Sequence, residues 1–131
     1  MSIAKWCVLA ACLLPVVTVG LAKASTARVS RKTGGYDNNS PRQWADKLTG
    51  WQQRACAAQA NGFEALPLFI AGVLFAQMAQ ADQARIDLLA LSFVGLRVAY
   101  VVAYLANQGT VRTLIWTAGV GVSIALLSMG A

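Results

Sequence analysis

The chain has 131 residues, is 57% hydrophobic and only 12% charged, with a mean hydropathy of +0.55. A water-soluble domain of this size needs more polar surface to cover itself, so that class is excluded. The net charge is +6, and with 3 Cys and no His the chain offers neither a zinc ligand cluster nor a paired disulfide framework.

The first element follows from the charge-free run between Lys5 and Lys23, which predicts a membrane-spanning helix over about Ile3–Ala22. The same segment has features of a secretory signal, with Lys5, an apolar core and a small-x-small end at Ala22-Lys23-Ala24. Leu9-Ala10-Ala11-Cys12 also mimics a lipoprotein cleavage box. The apolar run is longer than a signal core and the box lies too early in it, so a retained helix is expected. Cys7 and Cys12 here, and Cys56 further on, read as small buried apolar residues with no redox role.

A polar segment over residues 23–54 comes next. Lys23, Arg28, Arg31, Lys32, Arg42, Lys47 and Arg54 face only Asp37 and Asp46 there, so this segment holds most of the positive charge. Positive loops stay on the cytoplasmic side, so both termini are expected to face outward. A polybasic run can also mark nucleic-acid binding, but no such module is visible and no nucleic-acid partner is expected. Gly34-Gly35 and the run Asp37-Asn38-Asn39-Ser40-Pro41 are turn-forming, so the segment is mobile unless it packs. Trp44, Leu48 and Trp51 predict a short interfacial stretch leading into the next helix.

Three more spans are predicted at about Ala55–Ala79, Ala84–Ala106 and Thr110–Met129. The middle one qualifies only if Arg97 faces protein, because a charge is costly against lipid. The expected fold is an all-α integral membrane protein, a single bundle of four transmembrane helices joined by short turns. No internal or inverted repeat of the transporter kind is present.

Polar residues form stripes on these helices. At 100° per residue, Arg54, Ala57, Asn61 and Glu64 share one face, as do Arg97, Tyr100 and Tyr104 on the next helix. Glu64 lies roughly 15 Å in from Arg54, and Arg97 is similarly deep from the other end of its helix. An ion pair between Glu64 and Arg97 is therefore expected, either as a structural clamp or in contact with a ligand. Asn61 and Tyr104 are shallower, and Arg112 with Thr113 opens the last helix. Together they predict a polar pocket suited to a small anionic ligand meeting an apolar one from the membrane.

The run Arg54-Ala55-Cys56-Ala57-Ala58-Gln59-Ala60-Asn61-Gly62-Phe63-Glu64-Ala65-Leu66-Pro67 resembles the signature of the MAPEG family, the membrane-associated proteins in eicosanoid and glutathione metabolism. Arg97-Val98-Ala99-Tyr100-Val101-Val102-Ala103-Tyr104-Leu105 is similar to the third helix of microsomal prostaglandin E synthase and its relatives, and Val111-Arg112-Thr113 to the start of the fourth. Tyr36-Asp37-Asn38 through Pro41-Arg42 resembles bacterial members, which implies a bacterial inner membrane, and the likeness runs from about Thr33 to the C-terminus.

The resemblance implies a homotrimer that binds glutathione between subunits. It implies that Arg112 stabilises the thiolate, with Thr113 where several members carry a serine. Asn61, Glu64, Arg97, Tyr100 and Tyr104 would line the glutathione pocket, with Arg54 as an added cation. Four departures stand out, one of them Pro67, which follows Glu64 one position earlier than in the family. Ala57 replaces an arginine of the eicosanoid enzymes, Gln59 replaces a histidine, and Tyr100 replaces a histidine of the prostaglandin synthase. An eicosanoid substrate is therefore not expected.

The expected function is a glutathione-dependent transferase or peroxidase acting on hydrophobic electrophiles or lipid hydroperoxides. One alternative is a non-catalytic lipid-binding member, resembling the lipoxygenase-activating protein of that family. Another is a small transporter that uses an intramembrane carboxylate.

Overall fold

The computed structural model describes residues 1–129, and its regular elements are all helical. Helices α1 (Ile3–Ala24), α3 (Gly50–Met78), α4 (Gln83–Leu105) and α5 (Gly109–Ser128) are each long and apolar enough to cross a membrane. Between α1 and α3 the chain makes a 3-10 turn at Arg31–Thr33 and a short helix, α2 (Pro41–Asp46). The all-α, four-span architecture read from the charge-free blocks is the one observed. Helix α3 begins five residues before the expected Ala55, because its first turns lie in the polar segment and hydropathy does not mark them.

Local chemistry fixes the helix ends. Ser2 caps α1 by accepting from the Lys5 amide at 3.3 Å. One of the next free amides, that of Ala4, donates to Asp87 Oδ1 at 2.9 Å, which ties the start of α1 to the start of α4. Gln80 and Asn107 take left-handed φ values of 54° and 60°, ending α3 and α4 and reversing the chain within a few residues.

Helices α3 and α4 form the centre, each packing on the other and on both α1 and α5, while α1 and α5 do not touch. Hydrocarbon supplies no hydrophobic drive between helices, so their association rests on close packing. Phe69 of α3 and Phe93 of α4 stack with ring centroids 3.9 Å apart, within a core that includes Ala4, Ala11, Ala90 and Leu126. Two glycines permit the closest helix approaches. A Cβ on Gly62 would lie 2.8 Å from Pro15 Cγ of α1, and one on Gly72 would lie 2.8 Å from the Ser123 carbonyl oxygen of α5.

The 23–54 segment packs rather than hanging free. Trp44 of α2 is buried with Ala22 and Ala55, and its indole donates to the Gly34 carbonyl at 3.2 Å. The Tyr36 amide donates to Thr26 Oγ1 at 3.1 Å, and Gln52 Nε2 donates to Ser25 Oγ at 2.8 Å. Those contacts supply the packing partners that the turn-rich sequence does not reveal. Large apolar side chains instead remain exposed on the outer faces of α1 and α5, among them Trp6, Val17, Leu114 and Ile124.

Candidate functional site

A cavity of about 290 Å³ opens between α3, α4 and α5. Asn61 and Glu64 border it from α3 and Arg97 from α4, while Leu68, Phe93 and Trp116 supply apolar wall. A smaller opening of about 170 Å³ lies beside it, toward the end that carries the 23–54 segment. Asn61, Tyr100, Arg112, Thr113 and Trp116 line that opening, so Asn61 and Trp116 belong to both spaces.

Cations and aromatic rings alternate along the α4 side. The Arg97 guanidinium lies 4.1 Å from the Tyr100 ring centroid, and Tyr100 meets Tyr104 edge to face at 5.7 Å. The Arg112 guanidinium then lies 4.2 Å from the Tyr104 centroid, joining α5 to α4. A ring face attracts a cation without neutralising its charge, so both guanidiniums are held in place yet remain available to an anion. Arg97 is only 5% exposed, and its Nη2 has no hydrogen-bond partner. Asn61 Oδ1 is likewise buried without one. A buried donor and a buried acceptor are thus left open on two residues that line one cavity.

The expected Glu64–Arg97 ion pair does not form. Among the described residues the ion pairs are Arg31–Asp37 and Asp82–Arg85, neither of which lies at the cavity. Matching depth does not fix direction around the helix. Gly62, about 200° around α3 from Glu64, is the residue that approaches Arg97, and a Cβ there would lie 3.8 Å from Nη2. Tyr100, one turn along from Arg97 on α4, takes the carboxylate's place against the guanidinium. Arg54 is also diverted from the site. Its Nε and Nη2 donate to the Leu105 carbonyl at 3.3 and 3.1 Å, capping the end of α4. Thr113 lines the opening, but its hydroxyl donates to the Gly109 carbonyl at 3.1 Å. Its oxygen lone pairs stay free, and it must release Gly109 before it can donate to a ligand.

Taken together, the helices converge Asn61, Glu64, Arg97, Tyr100, Arg112 and Thr113 on one site, with Tyr104 bracing Arg112. The MAPEG family model matches residues 3–131. The chain belongs to the MAPEG family. No curated protein and no solved structure matches it.

The match takes in α1 along with the rest of the bundle, and residues Ala4, Ala11 and Ala22 of α1 are buried in the fold. This MAPEG protein is thus an integral membrane protein of a family concerned with glutathione and eicosanoid metabolism. Of the departures noted in the sequence, Gln59 lines a separate groove against α1 and α2. Trp116 is the site residue that sequence reasoning missed. It stands one helical turn after Arg112, and that i, i+4 spacing would have placed it on the same face.

Proposed function

We propose that this MAPEG protein is a glutathione-dependent transferase or peroxidase that acts on hydrophobic electrophiles or lipid hydroperoxides, with Arg112 stabilising the thiolate. The observation that carries this reading is the pair of ring-held guanidiniums, Arg97 and Arg112, beside the unpartnered Asn61 Oδ1. Glutathione has the complementary chemistry, since its carboxylates accept from guanidinium and its ammonium donates to Asn61 Oδ1 and the Glu64 carboxylate. When bound, it supplies the thiol nucleophile, so the chain needs no Ser-His or Cys-His pair of its own.

The role of the protein is then binding, orientation and charge stabilisation. An ordinary thiol, with a pKa of about 8.5, is mostly protonated at neutral pH, and the Arg112 guanidinium favours its deprotonated form. Tyr104 keeps that guanidinium from swinging into solvent. Leu68, Phe93 and Trp116 give an apolar reactant a wall beside the thiol position. In keeping with the family, we propose a homotrimer in which the exposed faces of α1 and α5 meet neighbouring copies or lipid. We further propose that residues 23–54 face the cytoplasm of a bacterial cell, with both termini outward, and their excess of positive charge supports that orientation.

A second reading has its own support. Ala57 removes one cation of the eicosanoid enzymes, and Arg54, the nearest substitute, is committed to Leu105. A member so depleted could bind an amphiphile without catalysis. Calorimetry of glutathione binding to the detergent-solubilised protein, with ultraviolet absorption of the thiolate followed alongside, distinguishes the two. Saturable binding with a thiolate band that disappears in Arg112→Ala is the expected result. Binding without that band would support the non-catalytic reading, and absence of binding at millimolar concentration (about −4 kcal/mol) would remove glutathione from both.

A further inference from the structure

We propose that a single structural water binds inside the bundle, where it joins the Arg97 guanidinium to a backbone carbonyl that Pro15 leaves open in α1. The site is a small cavity on the α1 side of Arg97. About 10 Å³ of it is open to the centre of a water molecule, which is the room that one water needs. Ala11, Pro15 and Thr18 line it from α1, Gly62 from α3, and Arg97 and Val101 from α4, and all six are buried. A Cβ on Gly62 would lie 2.8 Å from Pro15 Cγ and 3.8 Å from Arg97 Nη2, so this nitrogen points toward α1.

Three polar groups converge there with complementary capacity. Arg97 Nη2 is a buried donor without a partner among the described residues. Pro15 lies inside α1 and has no amide hydrogen, so the Ala11 carbonyl loses the donor that an unbroken helix would give it. Thr18 Oγ1 already donates its proton to the Leu14 carbonyl at 2.7 Å, so toward the cavity it can only accept. Residues 11, 15 and 18 share one face of α1, which is why a break at Pro15 opens beside Thr18. Hydrocarbon brings no solvent to such groups. Ordered water is one means by which a span interrupted by proline satisfies its freed backbone.

The count of donors and acceptors decides the occupant. One donor and two acceptors around so small a space call for a molecule that accepts once and donates twice. Water does so. A halide would accept from Arg97 but stand against two lone-pair oxygens, and a metal cation would face the guanidinium. An apolar occupant would leave all three groups open. The water solvates the Arg97 charge from the α1 side, while the Tyr100 ring, 4.1 Å away, holds it on α4.

The test is a crystal structure of the full-length wild-type protein in lipid, at a resolution that shows ordered water, with bromide-soaked crystals measured for anomalous scattering. The expected result is one water within hydrogen-bond distance of Arg97 Nη2, the Ala11 carbonyl oxygen and Thr18 Oγ1. A dry cavity, a direct bond from Nη2 to a protein group, or a bromide peak at this place would each overturn the proposal. A double-mutant cycle, read by unfolding in detergent, checks it independently. Thr18→Val removes the accepting oxygen and keeps the side-chain shape. It should raise the unfolding equilibrium constant about fivefold more in the wild-type background than in Arg97→Met, where the donor is gone. Equal effects in the two folded backgrounds would overturn the bridge. The wild-type structure decides the matter even where a variant fails to fold.

Discussion

Replacing Gly72 by Ala tests whether the α3–α5 contact sets the bundle's geometry. The added Cβ would lie 2.8 Å from the Ser123 carbonyl oxygen and 3.0 Å from Leu126 Cβ. Ordinary contact needs roughly half an ångström more, and the first obstacle is helix backbone, which cannot rotate aside. Either α5 moves or the contact is strained, at a cost of about 1–3 kcal/mol. Ala is also the better helix former by about 1 kcal/mol, which offsets part of that cost. Gly95 of α4 provides the control, because a Cβ there meets nothing within 4 Å. Gly95→Ala keeps the propensity gain and meets no clash, so the propensity term cancels between the two variants. Gly72→Ala should therefore be less stable than Gly95→Ala by about 1–3 kcal/mol. Unfolding in detergent, followed by circular dichroism with heat and with denaturant, measures that difference. If Gly72→Ala were as stable as Gly95→Ala, the tight α3–α5 approach would be refuted, and with it the placement of Ser123 and Trp116 at the cavity.

Further outcomes follow from the site. Arg112→Ala should lower turnover by about 10²-fold or more, the scale for removing a charge-stabilising group, with Arg112→Lys recovering part of it in steady-state assays. Arg97→Met removes a buried cation that lacks a hydrogen-bonded counter-charge, so stability should hold or rise while glutathione affinity falls, as paired unfolding and calorimetry would measure. Arg54→Ala should cost about 1.5–3 kcal/mol of stability through the bonds lost to Leu105, yet leave glutathione affinity within about twofold. A larger loss of affinity would restore Arg54 to the site. Trp116→Ala should raise KM for an apolar substrate with little change in kcat, since that side chain is wall rather than reacting group.

The site gathers residues of different depth around two guanidiniums whose charge no carboxylate cancels among the described residues. In a medium of low dielectric such charges act strongly on a bound anion. Glu64 borders the same cavity without quenching Arg97, which leaves a carboxylate and a guanidinium to contact different parts of one ligand. An ion pair there would have cost the site both charges.

Hydropathy alone determined the four spans, because a helix in hydrocarbon needs an apolar run of fixed length and tolerates few interruptions. Residue spacing likewise placed Asn61 with Glu64, and Arg97 with Tyr100 and Tyr104, since helical periodicity is local. Which faces meet was beyond that reach. Depth matched Glu64 to Arg97, but the rotation of α3 against α4 is set by tertiary packing, including the Gly62–Pro15 approach and the Phe69–Phe93 stack, and it turned Gly62 toward the guanidinium. Arg54 shared a stripe with Asn61, yet the open carbonyl of Leu105, 51 residues away in the chain, claimed it. The polar 23–54 segment read as mobile, because the contacts that hold Tyr36 and Trp44 in place come from the end of α1, the start of α3 and the far side of its own turn. Local pattern fixes which residues share a face of one helix; only the packed bundle decides what that face opposes.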